Sequence, residues 1–284
     1  MATISNVNGK KITKIKYKGE IFDVGGGGSE GDVNPLQHII DNHKGDGQPS
    51  GEDLFYEYWG SSLDNVIPYC DFSGITSAKQ MFYDCKNLTS VPYFDTSNCT
   101  DMYHMFYFCY KLTTIPQLNT SKVTNMDGMF LNCGNLITIP QINTSNVTTM
   151  NNMFIDCSNL TTIPQLNTSK VTNVGSMFSG CHKLTTIDFT HMNITSNSYS
   201  YNFAHSCYSL TKLIIRNMTT IPVFSASAFN YCYHFTGTTD ETYNPQGLKD
   251  GRIYVPDDKV EALKAATNWS VYADIIVPLS TLVE

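Results

Sequence analysis

The sequence predicts an α/β solenoid of about seven 24-residue coils, each a short strand followed by a short helix. Three observations predict it. First, the run Met129-Phe130-Leu131-Asn132-Cys133 recurs with small changes from Met81, Met105, Met153 and Met177, always 24 residues apart. Two degenerate copies follow around Phe203–Cys207 and Phe229–Cys232, at intervals of 26 and 25. A fixed period of this size marks a unit that cannot bury its apolar face alone and must stack on its neighbours. Second, Met126, Met129, Phe130 and Cys133 fall at i, i+3, i+4 and i+7, one face of a short helix. Third, Leu112-Thr113-Thr114-Ile115-Pro116 is β-branched and ends on a residue without an N–H, which predicts a short strand.

Thr124 or Asn125 is placed to start the helix, and Gly134 or Asn135 to end it. The triplet Asn119-Thr120-Ser121 recurs at Asn143 and Asn167, with Asp95-Thr96-Ser97 before them. Such side chains satisfy backbone groups in bends, so stacked coils should put them in a ladder, each bonding the turn above or below. The Asn-x-Ser/Thr sequons at Asn119, Asn143, Asn146 and Asn167 are read as these turns rather than as glycan acceptors.

The Leu-x-x-Ile strand, the Asn/Asp-Thr-Ser turn, the Val-Thr-x-Met segment and the Met-Phe-x-x-Cys-x-x-Leu block together resemble the BspA-like leucine-rich repeat family, in its Met-Phe-x-x-Cys surface-protein branch. The resemblance covers about Leu63 to Phe235, and the closing segment Arg252-Ile253-Tyr254-Val255-Pro256 with Trp269 and Tyr272 looks like the usual end of such proteins. It implies a leucine-rich-repeat-type solenoid with roles in adhesion or surface recognition. It implies no catalytic residues and no cofactor.

Four segments are expected. Residues 1–24 carry the Asn8-Gly9 turn signal between Thr3–Val7 and Lys11–Tyr17, then Lys18-Gly19 before Glu20–Val24, a small β-meander that needs something to pair with. Residues 25–52 are a Gly-rich acidic linker. Residues 53–236 are the solenoid, its N-terminal end covered by Leu54, Phe55, Tyr56, Tyr58, Trp59 and Leu63. Residues 237–284 are a polar loop and a C-terminal cap: a strand at Arg252–Pro256, a helix over Lys259–Ala266 capped by Asp257 or Asp258, and apolar cover from Trp269, Tyr272, Ile275, Ile276 and Leu279.

The composition, 41% hydrophobic and 15% charged with net charge −7, argues against nucleic-acid binding as the main role. Five of the 18 basic residues (Lys10, Lys11, Lys14, Lys16 and Lys18) lie in the first 20 positions, alternating as on the outer face of a hairpin. No apolar run is long enough to span a membrane. Met1–Asn6 shows no basic segment followed by an apolar one, hence no visible signal peptide.

Cys85, Cys109, Cys133, Cys157 and Cys181 are in phase, with Cys207 and Cys232 continuing the row. Varied spacings mark disulfide frameworks, whereas a row at the end of each apolar face reads as reduced thiols packed as small hydrophobes. Cys70 and Cys99 read the same way. His205/Cys207 and Cys232/His234 are too few for zinc, and an inert buried thiol lacks the setting of a nucleophile, so neither a metal nor a catalytic site is assigned.

Two surface features are candidate binding sites. Thr114, Thr138, Thr162 and Thr186 form a row of hydroxyls on a sheet face, though threonine also simply favours strands. Tyr103, His104, Tyr107, Phe108 and Tyr110 stand where the next repeat has Asp127, Gly128, Leu131, Asn132 and Gly134. Aromatic surface stacks on sugars or anchors a protein interface. Tyr199, Tyr201, Tyr208, Tyr231 and Tyr233 form a similar group, and packing against the caps explains either group equally well.

The expectation is a non-enzymatic adhesion or structural protein. Its most concrete form is a bacteriophage virion fibre or decoration component, extracellular after lysis. It would bind host cell-surface glycan or protein through the repeats, and an assembly partner or further copies of itself through residues 1–24. A bacterial cell-surface adhesin is the alternative, and a polysaccharide-degrading solenoid ranks third.

Overall fold

The computed structural model describes residues 74–192, 194, 200–244, 246–247 and 249–283, together with the backbone of four short strands between residues 6 and 23. The linker 25–52, the aromatic segment 53–66 and Cys70 lie outside the described residues.

The N-terminal strands form two separate antiparallel pairs. β1 (Asn6–Val7) pairs with β2 (Lys10–Lys11), and β3 (Lys14–Tyr17) pairs with β4 (Glu20–Asp23), Lys14 opposite Asp23. Among the described residues these strands form two 2-stranded ladders, with no pairing between them.

From Ile75 onward the chain winds into coils around one continuous core, with the Met-Phe-x-x-Cys block of every coil buried. Phe82, Phe106, Phe130, Phe154 and Phe178 stack as a column with ring centroids 5.1, 5.6, 5.4 and 5.5 Å apart and near-parallel planes.

The segment expected to be a short helix is a ladder of overlapping turns. In the coil at Met126, the amides of Met129, Leu131 and Cys133 donate to Met126, Gly128 and Phe130 three residues back. The amides between them, of Met126, Gly128, Phe130 and Asn132, donate to Thr149, Asn151, Met153 and Ile155 of the next coil. The pattern repeats one period on either side. Positive φ at two positions four apart makes it: Gln80/Asp84, His104/Phe108, Gly128/Asn132, Asn152/Asp156, Ser176/Gly180 and Asn202/Ser206. A left-handed residue turns alternate amides outward, and a helix of about eight residues rich in Asn, Ser and Gly is marginal on its own. Inward-facing side chains keep the spacing expected of a helix, so the apolar face is as predicted although the backbone is not.

The predicted strand also depends on one residue. Leu112–Pro116 and its equivalents contribute a single backbone–backbone bond between coils, Thr113 N to Thr89 O, Ile137 N to Thr113 O and Thr161 N to Ile137 O. Pro92, Pro116, Pro140 and Pro164 supply no further donor. Where that position becomes Asp188, a seven-residue strand forms. The resulting sheet is parallel, in the order β5 (Leu166–Thr168), β6 (Thr186–Met192), β7 (Lys212–Ile215), β8 (Arg252–Val255) and β9 (Ile276–Pro278). Arg216 and Asp188 pair across it at 2.9 Å.

The C-terminal cap continues this sheet. After a helical turn α1 (Tyr233–Thr236) come β8, a 3-10 turn at Asp257–Lys259 and α2 (Val260–Ala265). Neither aspartate caps α2 through its side chain. Asp257 Oδ1 instead accepts the Ser280 amide at 3.1 Å, which ties the chain end to the cap. Trp269 is fully buried against Phe224 and Phe229, and its Nε1 donates to Pro222 O at 2.6 Å. Among the described residues no helix is long and apolar enough to cross a membrane.

Candidate recognition surface

The turn ladder has two faces. Its inner face holds the thiols. Cys109, Cys133, Cys157 and Cys181 each donate, at 3.1 Å, to the carbonyl of Phe82, Phe106, Phe130 and Phe154 in the preceding coil. Each of these carbonyls also accepts the amide of its own coil's cysteine, so both its lone pairs are used. The eight cysteines from Cys85 to Cys232 are free and buried, and burial pushes the Cys133, Cys157 and Cys181 thiols far above their ordinary range. Cys99 is raised to about 12, first by burial and then by Asp95.

The outer face carries the predicted aromatic group, and the structure brings it together. Tyr107 stacks on Tyr83 of the coil before at 4.7 Å. His104 lies between Tyr103 and Tyr107, ring centroids at 3.8 and 4.5 Å. Phe108 bridges Tyr107 and Tyr110 at 4.2 and 5.4 Å. His104 reaches this place because the next coil has a glycine there: a Cβ on Gly128 would collide with the imidazole. Burial lowers the His104 imidazole to about 4, so it is neutral near pH 7. The Tyr107 phenol is raised by burial, then by Tyr103 and Tyr110. The patch is therefore an uncharged aromatic surface, with Tyr110 41% exposed at its rim.

Phe108 itself adopts a φ of 61°, where its neighbours and most other coils have Asp84, Asn132, Asp156, Gly180 and Ser206; the last coil repeats the departure with Tyr231, also at 61°. A bulky side chain in the left-handed region costs about 1–2 kcal/mol. Such strain persists where the surroundings hold it and is a pointer to a functional surface.

The C-terminal tyrosines form a second cluster on the turn ladder. His182, Tyr208 and Tyr233 stack at 4.5 and 5.2 Å, with Tyr243 from the polar loop 4.6 Å from Tyr208. Burial lowers the His182 imidazole, opposed by Asp156, whose carboxyl burial raises. Tyr201 lies instead over Gly175, its hydroxyl 3.3 Å from Asn151 Oδ1, and Tyr231 meets the His205 ring at 5.1 Å. Tyr199 lies outside the described residues.

The threonine row is less regular. Thr114, Thr138 and Thr162 are exposed, with Thr138 and Thr162 hydroxyls 3.3 Å apart, whereas Thr186 is half-buried at the start of β6. The turn threonines make the ladder that the triplets predict. Thr120 Oγ1 donates to Asn143 O at 2.9 Å and accepts the Asn143 amide at 2.8 Å, and Thr96 and Thr144 repeat both bonds one coil away. Sequence reasoning missed an open groove lined by Gln117, Gln141, Gln165 and their neighbouring asparagines. Its signal was the repeated Pro-Gln-Leu/Ile-Asn-Thr block.

Among the described residues no group of three or more His, Cys, Asp or Glu is arranged to hold a metal ion. His205 Nδ1 lies 2.9 Å from Ser206 Oγ and His234 Nδ1 lies 2.6 Å from Asp250 Oδ1, while Cys207 and Cys232 bond carbonyls.

The sequence matches the family described as "Mycoplasma protein of unknown function, DUF285" over residues 52–138, 110–213 and 135–237, together well over half of the chain. The chain belongs to this family. The match covers the repeats that carry the BspA-like, leucine-rich-repeat character. No curated protein matches the chain. Among solved structures the chain is similar to a leucine-rich repeat protein of T. pallidum, at 19% identity over 65% of this chain and 78% of that one, with a TM-score of 0.43.

Proposed function

We propose that the protein is a non-enzymatic recognition module whose aromatic patch, Tyr83, Tyr103, His104, Tyr107, Phe108 and Tyr110, contacts a polysaccharide or protein on a bacterial surface. The observation that carries this reading is the placement of Phe108: a strained aromatic at a position where neighbouring coils have small or polar residues, packed into an uncharged cluster at the surface. Rigid aromatics of this kind supply contact area at low entropy cost. A repeat family of the BspA-like type fits a surface-adhesion role. In its specific form the protein is a fibre or decoration component of a bacteriophage virion, attached through the strand pairs of residues 1–24. The same surface would serve a bacterial adhesin.

Labelled protein spanning residues 1–284 should bind intact bacterial cells saturably. The Tyr103→Ala/Tyr107→Ala variant, with its melting transition intact, should lose at least about tenfold in affinity, the range of one interface hot spot. Equal binding by the variant removes the patch from the reading. Detection of the chain in purified phage particles rather than in bacterial envelope fractions would support the virion form.

A further inference from the structure

The turns at Asn119–Ser121 and Asn143–Ser145 and the start of β5 border an open groove of about 730 Å3 that crosses five coils. Two rows of side chains line it. One is Tyr93, Gln117, Gln141 and Gln165, each 24 residues after the last; the other is Asn119, Asn143, Asn167 and His191, with the same spacing. Leu118 and Ile142 are buried between the rows. At about 4.8 Å per coil, the first and last members of a row are about 14 Å apart.

The glutamines are fixed by their amide nitrogens. Gln117 Nε2 donates to Gln141 O at 2.6 Å, Gln141 Nε2 to Gln165 O at 3.1 Å, and Gln165 Nε2 to Asp188 Oδ1 at 3.2 Å. The asparagines are fixed by their oxygens: Asn119, Asn143 and Asn167 Oδ1 accept the amides of Ser121, Ser145 and Ser169. Among the described residues, Oε1 of each glutamine and Nδ2 of each asparagine make no hydrogen bond. The groove thus offers one free acceptor and one free donor per coil, both held rigidly. At its far end the buried Nδ1 of His191 has no partner among the described residues. At its near end Tyr93 is 63% exposed. Among the described residues no lysine, arginine, aspartate or glutamate lines it.

We propose that this groove binds a neutral polysaccharide chain lying along the solenoid axis. Each sugar hydroxyl is both donor and acceptor, so successive residues meet the glutamine and asparagine rows coil by coil, and a terminal ring stacks on Tyr93. An anionic glycan or a nucleic acid would find no cation here. An extended peptide needs a free strand edge, and the coil backbone here bonds along the solenoid axis to its neighbours. The site is separate from the aromatic patch and rests on the recognition reading above.

The test is affinity electrophoresis of the full chain through gels containing mannan, dextran or galactan, with polygalacturonate as the anionic comparator. At least one neutral polysaccharide should retard the chain. Gln117→Ala/Gln141→Ala, and separately Tyr93→Ala, should each weaken retardation about tenfold, as loss of a pair of net-favourable contacts predicts. Both change exposed side chains, and an unaltered melting temperature verifies their fold. The Tyr103→Ala/Tyr107→Ala variant should bind as the parent does. Stronger retardation by polygalacturonate, groove variants that bind normally, or binding lost only in the aromatic variant each overturn the groove assignment. Cell binding without any polysaccharide binding also overturns it, while leaving the recognition reading standing. Loss of cell binding altogether sinks that reading instead.

Discussion

Phe106 and Phe108 are two residues apart and have opposite roles. Phe106 is fully buried in the aromatic column, so Phe106→Ala should cost about 3–5 kcal/mol in denaturant melts. Phe108→Asn removes ring contacts worth about 0.5–1.5 kcal/mol but relieves a comparable left-handed backbone cost, so its stability should stay within about 1 kcal/mol of the parent. A Phe108→Asn loss above about 3 kcal/mol would make it an ordinary core residue. The burial of Phe106 was legible from the repeat; the strain at Phe108 was not, because comparison of residue types shows a substitution but not the φ it must adopt. Asp84, Asn132, Asp156 and Gly180 at that position carried the hint. His104 gives a pH test. Held at about 4 against an ordinary 6.5, it resists a proton that the unfolded chain accepts, so stability should fall as pH drops from about 6.5 to about 4. The raised carboxyls of Asp127 and Asp156 act in the opposite sense, so the comparison is with His104→Asn. That variant should lose less melting temperature than the parent between pH 7 and 4.5, and equal losses would mean that the imidazole is not held neutral.

At the scale of the element, the spacing i, i+3, i+4, i+7 identified the buried residues correctly and the backbone wrongly. Both a helix and a run of overlapping turns bring those positions inward, so periodicity cannot separate them. The left-handed tolerance of Asn, Asp, Ser and Gly four residues apart can. The proline at the end of each strand segment limits the strand, and Asp188 shows the rule by its exception: where proline is absent the strand extends to Met192. The turn ladder makes a sharp prediction. Thr144→Val preserves shape but leaves the Asn167 amide and carbonyl without their partner, and should destabilise by about 2–3 kcal/mol. Thr138→Val, on the exposed row, should change stability by less than about 0.5 kcal/mol. Similar losses for the two would deny the turn threonines their bonding role. The thiols should be equally telling: the eight described cysteines should stay silent to Ellman's reagent in the native protein and react on unfolding.

On the scale of the whole molecule, the C-terminal cap was legible because aromatic residues after the last repeat had no coil left to cover except the end of the stack. Trp269 does this, and Trp269→Ala should cost about 3–5 kcal/mol and expose Phe224 and Phe229, seen as dye binding to apolar surface below the melting point. A variant that melts like the parent without dye binding would mean that the cap is dispensable. The groove was illegible because its two rows become neighbours only when coils stack, although every member was in the repeated Pro-Gln-Leu/Ile-Asn-Thr block. The turn ladder has a consequence for length. Every coil receives amides from the coil before and hands its own alternate amides to the coil after, in the same positions, so one period can be deleted or duplicated without changing what its neighbours bond to. A coil gained or lost outside the aromatic patch would change the length of the stack by about 4.8 Å and leave the bonding of its neighbours as it was.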